Sequence, residues 1–209
     1  DKDFIEKVNF IFDFQRYNSI DFNNKILFFD QNWDAMPKYL RNISGIKKLL
    51  LNNLYKKHLN ESFIYNKKME LFAILMKKSL PRKIFVKLHP RSPDDFVEDY
   101  KISECSMAKN LKVPWEVFMD NCSFKNNIWI TVSSTALCTY KTAFCNHLED
   151  IPMVFLYKIV YKDKMDFRED DEFFEKFQSR YPGSVFLPKT VEEFQEIYAK
   201  LVTKMSQRQ

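Results

Sequence analysis

The chain of 209 residues is long enough to bury one sizeable core, and 45% hydrophobic with 29% charged residues is the balance of a folded protein, not a disordered one. Its two glycines, Gly45 and Gly183, fall far below the average usage of about 7%, which excludes the glycine-rich loops that cradle phosphates in P-loop and dinucleotide sites. No apolar run reaches the roughly 18 residues that a membrane-spanning helix needs, and the net charge of +5 favours an anionic ligand or an anionic membrane face.

In chain order, the segment Phe4 to Phe14 is apolar on several faces and predicts a helix, and the polar stretch Asn18 to Asn24 reads as a linker. The start Asp1-Lys2-Asp3 has no initiator Met and no signal-peptide pattern, so residues 1–24 are expected to be the end of a preceding domain and the chain an excised fragment. The first strand is Lys25 to Asp30, which delivers Asp30 and Gln31 to a carboxyl edge. Ile46, Leu49, Leu50 and Leu54 have helical spacing behind Ser44, and Met69, Phe72, Leu75 and Met76 repeat it. Lys83 to Lys87 is the next strand. Residues 92 to 112 are polar and irregular, with a short strand expected near Tyr100.

Pro114-Trp115-Glu116-Val117-Phe118 opens a short helix, since proline suits a first turn. Ile128 to Val132 is a strand and Ser134 to about His147 a helix. Pro152 to Leu156 follows as a strand, and Phe167 to Tyr181 as an amphipathic helix with Phe173, Phe174, Phe177 and Tyr181 on one face. Ser184 to Leu187 is a short strand, and Thr190-x-x-Glu193 is a capping box for a last helix that turns Phe194, Ile197, Tyr198, Leu201 and Val202 inward. Strands alternating with helices predict an α/β fold, a parallel sheet covered on both faces. Cys105, Cys122, Cys138 and Cys145 show no paired spacing and read as reduced packing residues.

The chemistry concentrates where two of these strands end. Lys87-Leu88-His89-Pro90-Arg91 brings an imidazole and a guanidinium to the carboxyl edge of the sheet, where open α/β sheets bind ligands. Pro90 stops the ladder there and fixes the turn. Some forty residues on, Ser133-Ser134-Thr135 places three hydroxyls and free backbone N–H groups at a helix start, which suits an anion. Imidazole, arginine and hydroxyls are therefore expected to converge on one phosphate. The plainer alternative is that His89 caps the strand edge with a hydrogen bond. Asp94 and Asp95 read as solvated loop charges, and Cys145-x-His147 lacks the second ligand pair of a zinc site.

The order strand, Lys-x-His-Pro-Arg, Pro-Trp-Glu, strand, Ser-Ser-Thr-Ala resembles the nucleotide-binding half of bacterial sialyltransferases, in particular glycosyltransferase family 52 and the related capsular polysialyltransferases. The resemblance covers roughly residues 25 to 205. It implies a Rossmann-like domain forming the C-terminal half of a glycosyltransferase-B architecture, with residues 25–209 as the nucleotide-sugar donor-binding domain. The implied donor substrate is CMP-sialic acid, and no cofactor or metal is expected. A glycan acceptor of capsule or lipooligosaccharide completes the reaction, at a cytoplasmic site peripheral to the inner face of the bacterial membrane. Members of the family include dimers, which makes a homodimer a candidate arrangement; no nucleic-acid partner is expected.

By that resemblance His89 matches the histidine that contacts the nucleotide phosphate and assists departure of CMP. Ser133 and Ser134, with Thr135, match the hydroxyls that hold the phosphate or the sugar carboxylate. Glu116 matches the acid that bonds ribose hydroxyls, and Lys87 and Leu88 would frame the cytosine through backbone groups. One departure is plain. The family's general base lies in an acidic pair followed by glycine in the acceptor domain, whereas Gly45 and Gly183 follow Ser44 and Pro182. The base is therefore expected in a missing N-terminal acceptor domain, and this chain alone should bind donor without transferring it. CDP-glycerol polymerases of the teichoic-acid type share the His-Pro and Ser-Ser elements, but commonly carry an acidic residue soon after the serines, where Ala136-Leu137-Cys138-Thr139 stand here. A non-catalytic nucleotide-binding module is the third alternative.

Overall fold

Runs of apolar residues without polar alternation make strands that can be covered on both faces. The computed structural model describes residues 2–17, 20–31, 44–78, 84–89, 106–107, 114–144, 151–161 and 168–207. Its strands are β1 (Ile26–Phe29), β2 (Ile84–Lys87), β3 (Ser106–Met107), β4 (Ile128–Thr131), β5 (Met153–Phe155) and β6 (Val185–Phe186). Strands β1, β2, β4 and β5, each within a run predicted from hydropathy, are buried along their whole length. The sheet order is β3-β2-β1-β4-β5-β6 and every pairing is parallel. This is a Rossmann-like order. The chain steps outward from β1 to β3, returns beside β1 as β4 and steps outward the other way, so the topological switch point lies between β1 and β4.

The helices are α1 (Lys2–Ile11), α2 (Ile46–Leu50), α3 (Asn52–Lys78), α4 (Trp115–Asn121), α5 (Ala136–Thr139), α6 (Tyr157–Tyr161), α7 (Arg168–Arg180) and α8 (Val191–Ser206). Alternate strand residues serve opposite faces. Phe28 meets Phe72 of α3 with ring centroids 5.2 Å apart, and α3 packs beside α6 and α8. On the other face Phe29 meets Trp115 of α4 at 4.9 Å, Trp129 meets Tyr140 at 4.5 Å and Phe155 meets Phe174 of α7 at 4.5 Å. The N-terminal segment joins the same core. Phe14 lies 5.2 Å from Phe118, Phe22 packs edge-on to Phe85 and Trp115, and Asn9 and Asn121 exchange amide hydrogen bonds of 2.7 and 2.8 Å.

Several expectations are corrected. The helix after Ser134 begins at Ala136 and passes at Tyr140 into wider π turns that run to Phe144; residues 145–150, Cys145 and His147 among them, lie outside the described residues. Phe173 is 47% exposed although Phe174 and Phe177 are buried, because adjacent helix positions diverge by about 100°. Strand β3 and helix α6 were not predicted, and the strand expected near Tyr100 lies outside the described residues. The cap on α8 is present: Glu193 N–H donates to Thr190 Oγ1 at 3.2 Å. The glutamate carboxylate, however, takes the N–H of Lys189 at 2.7 Å, one residue earlier than a reciprocal capping box places it.

Candidate functional site

The ladder continues one step past β1, where Asp30 N–H donates to Lys87 O at 2.9 Å and holds the ends of β1 and β2 level. Asp30 is buried. Its Oδ1 accepts from Lys68 Nζ at 2.6 Å and from Gln31 N–H at 2.7 Å, while Oδ2 is buried with no hydrogen-bond partner among the described residues. Lys68 comes from the inner face of α3, in step with Ile64, Leu71, Phe72 and Leu75, all buried.

Gln31 then spans the switch point. Its Oε1 accepts from Ser133 N–H at 2.7 Å and its Nε2 donates to Ser133 Oγ at 3.0 Å. Ser133 Oγ also lies 2.5 Å from the hydroxyl of Tyr161 on α6. Burial pushes the Tyr161 phenol up to about 12, against the Ser133 hydrogen bond, which lowers it. One level below, Thr131 Oγ1 donates to Phe29 O at 3.0 Å and accepts from Ser134 N–H at 3.2 Å. Two of the backbone N–H groups expected to be free for an anion are thus committed. The side chains that take them, Gln31 and Thr131, close the gap between β1 and β4, where no ladder bond continues.

A cavity of about 400 Å3 opens beyond these strand ends. Asp30, Lys87, Leu88 and His89 form one wall; Pro114, Trp115 and Glu116 at the start of α4 form a second; Ser134, Thr135, Ala136 and Thr139 form the third. Lys87 is level with Phe29 in the sheet register and so emerges on the face that α4 covers. It is only 6% exposed, and its Nζ donates to Leu88 O at 3.1 Å. Burial lowers the pKa of this ammonium, while the Glu116 carboxylate acts in the opposite direction.

Of the residues singled out in the sequence, Asp30, Lys87, Leu88, His89, Glu116, Ser134 and Thr135 share this cavity. Gln31 and Ser133 stand behind it as a brace. Pro90 and Arg91, with Asp94 and Asp95, lie outside the described residues. Sequence reasoning missed Thr139, whose spacing from Thr135 puts it on the same helix face, and Lys68, a lysine in register with an apolar stripe. A larger hollow of about 690 Å3 lies beside α1, lined by Glu6, Phe10, Asp13 and Gln15 among others. It receives no strand end, and the switch-point cavity is the better candidate by the rule that places ligands in open α/β sheets.

Among the described residues no group of His, Cys, Asp and Glu gathers as metal ligands would, and no helix is long and apolar enough to cross a membrane. No protein-family model, curated protein or solved structure matches the chain.

Proposed function

We propose that this body is the donor-binding domain of a metal-independent sialyltransferase that takes CMP-sialic acid and serves the synthesis of a bacterial surface glycan, in capsule or lipooligosaccharide. The observation that carries the reading is the sharing of one switch-point cavity by His89 from β2 and the Ser134 and Thr135 hydroxyls after β4. Breaking a bond between sugar and phosphate leaves negative charge on the phosphate. A hydrogen-bond donor held there favours the transition state over the ground state, because the charge it meets is still growing.

In this reading His89 donates to the departing phosphate and the Ser134 and Thr135 hydroxyls orient it. Glu116 accepts from ribose hydroxyls, with Leu88 and Trp115 bounding the base. The attacking acceptor and its general base belong to an acceptor domain on the open side of the cavity, and this body by itself binds the donor without transferring it. The wall formed by Ala136 and Thr139 carries no carboxylate, which favours the sialyl donor over CDP-glycerol.

Calorimetric titration with CMP, UDP, GDP and ADP, repeated on His89→Ala, tests the reading. Selective CMP binding that weakens in the variant is expected, followed by preference for CMP-sialic acid over CDP-glycerol. Indifference to all four nucleotides overturns it.

A further inference from the structure

Two lysines are buried at this sheet edge, and they differ in one respect. Lys68 is neutralised by Asp30 at 2.6 Å. Lys87 is 6% exposed, and among the described residues its Nζ makes one hydrogen bond, to the neutral Leu88 carbonyl, with no carboxylate within ion-pair distance. An ammonium has three donors. A buried cation with donors to spare is costly unless something anionic completes it, and this one lines the switch-point cavity.

We infer that the Lys87 side chain is the electrostatic seat of the ligand's phosphate, and that this ammonium, more than the backbone at Lys87, sets the preference for a phosphorylated nucleoside. The inference rests on the donor-binding reading above and adds a specificity-determining residue to it. Ser134 and Thr135 offer neutral hydroxyls across the same space, and the Asp30 carboxylate is already held by Lys68. Glu116, on the α4 wall, repels phosphate and suits a hydroxyl donor. A phosphate joined to a ribose therefore has a defined direction in the cavity, phosphate to Lys87 and sugar hydroxyls to Glu116.

The test compares CMP, cytidine and inorganic pyrophosphate by calorimetry on the protein and on Lys87→Met and Lys87→Gln. The protein is expected to bind CMP more tightly than cytidine. Both variants should lose about tenfold to a hundredfold of CMP affinity with cytidine affinity unchanged, since charge-assisted bonds are lost and neutral contacts kept. Without ligand, Lys87→Met should melt no lower than the parent. An unchanged ratio of CMP to cytidine affinity in the variants overturns the inference and leaves the donor-binding reading standing. Pyrophosphate bound through Lys87, without any cytidine preference, does the reverse. Loss of folding in both variants assigns Lys87 to structure and overturns the inference, and no anion binding by the parent overturns both.

Discussion

Lys68 Nζ meets Asp30 Oδ1 at 2.6 Å with both side chains withdrawn from solvent, so a helix on one face of the sheet carries the countercharge for the residue that ends its first strand. The pair holds Asp30 where its N–H can extend the β1–β2 ladder and its carboxylate can accept the N–H of Gln31. Desolvating two charges offsets much of their attraction, so the pair itself adds little net stability. Removing one partner is different, because it strands the other.

Lys68→Met is therefore expected to destabilise the fold by about 3–5 kcal/mol, and the double variant Lys68→Met with Asp30→Asn by much less. Denaturant unfolding of the single and double variants measures this. A double variant as unstable as the single would show that Lys68 acts through packing and not as countercharge.

The parts of this arrangement differ in how far they could be read from the chain. Strands β1, β2, β4 and β5 were legible because each is an apolar run between polar breaks, and His89 and Ser134 were legible because they end two such runs. Strand β3 was not: Ser106 and Met107 form an edge element of two residues, paired in parallel with β2 and too short to leave an apolar run in the sequence. Lys68 lies on a helix with many lysines, and only its place among Ile64, Leu71 and Leu75 distinguishes it. The Gln31–Ser133 brace joins residues 102 apart in sequence, a relationship that depends on which strands become neighbours.

That brace predicts an order of effects. Gln31→Ala leaves the Ser133 N–H without its acceptor, and is expected to cost about 1–3 kcal/mol. Ser133→Ala keeps the bond from its N–H to Gln31 Oε1 and loses only hydroxyl contacts, about 0.5–1.5 kcal/mol. CMP affinity should fall in the same order, because Ser134 and Thr135 follow directly from the braced residue. Unfolding and titration of the two variants side by side check it, and the opposite order would place the support in the Tyr161 contact instead.

Tyr161 gives an alkaline signature. Its folded pKa is raised, to about 12 from 10.0, chiefly by burial. The folded protein thus keeps a proton that the unfolded chain gives up, and the stability this contributes is complete below pH 10 and lost as the pH rises towards 12. Tyr161→Phe has nothing to ionise there. Its unfolding midpoint, followed by circular dichroism across that range, should fall less steeply with pH than the parent's, and parallel curves would mean that the phenol ionises in the folded state as easily as in the unfolded one.

Lys87 has the opposite linkage. Its folded pKa is lowered from 10.5, first by burial, so over the interval just below 10.5 the unfolded chain holds the proton that the folded one has released. Stability contributed by this residue accordingly rises with pH across that interval, and Lys87→Met should lack the rise. If Lys87 seats the ligand's phosphate, binding requires the charged form, and CMP affinity should decline as the pH passes through the Lys87 pKa. Among the described residues, the titratable groups that share the cavity with this ammonium are Glu116 on α4, His89 beyond the end of its own strand and Asp30 at the end of β1, the last already held by Lys68. Of these, Glu116 is the one that raises the Lys87 pKa. Glu116→Gln removes that support, and the alkaline decline of CMP affinity should begin at lower pH than in the parent. Titrations between about pH 8 and 11, where the nucleotide phosphate is fully ionised, measure the displacement. A decline that stays in place in Glu116→Gln, or moves upward, would detach Glu116 from the cation it faces.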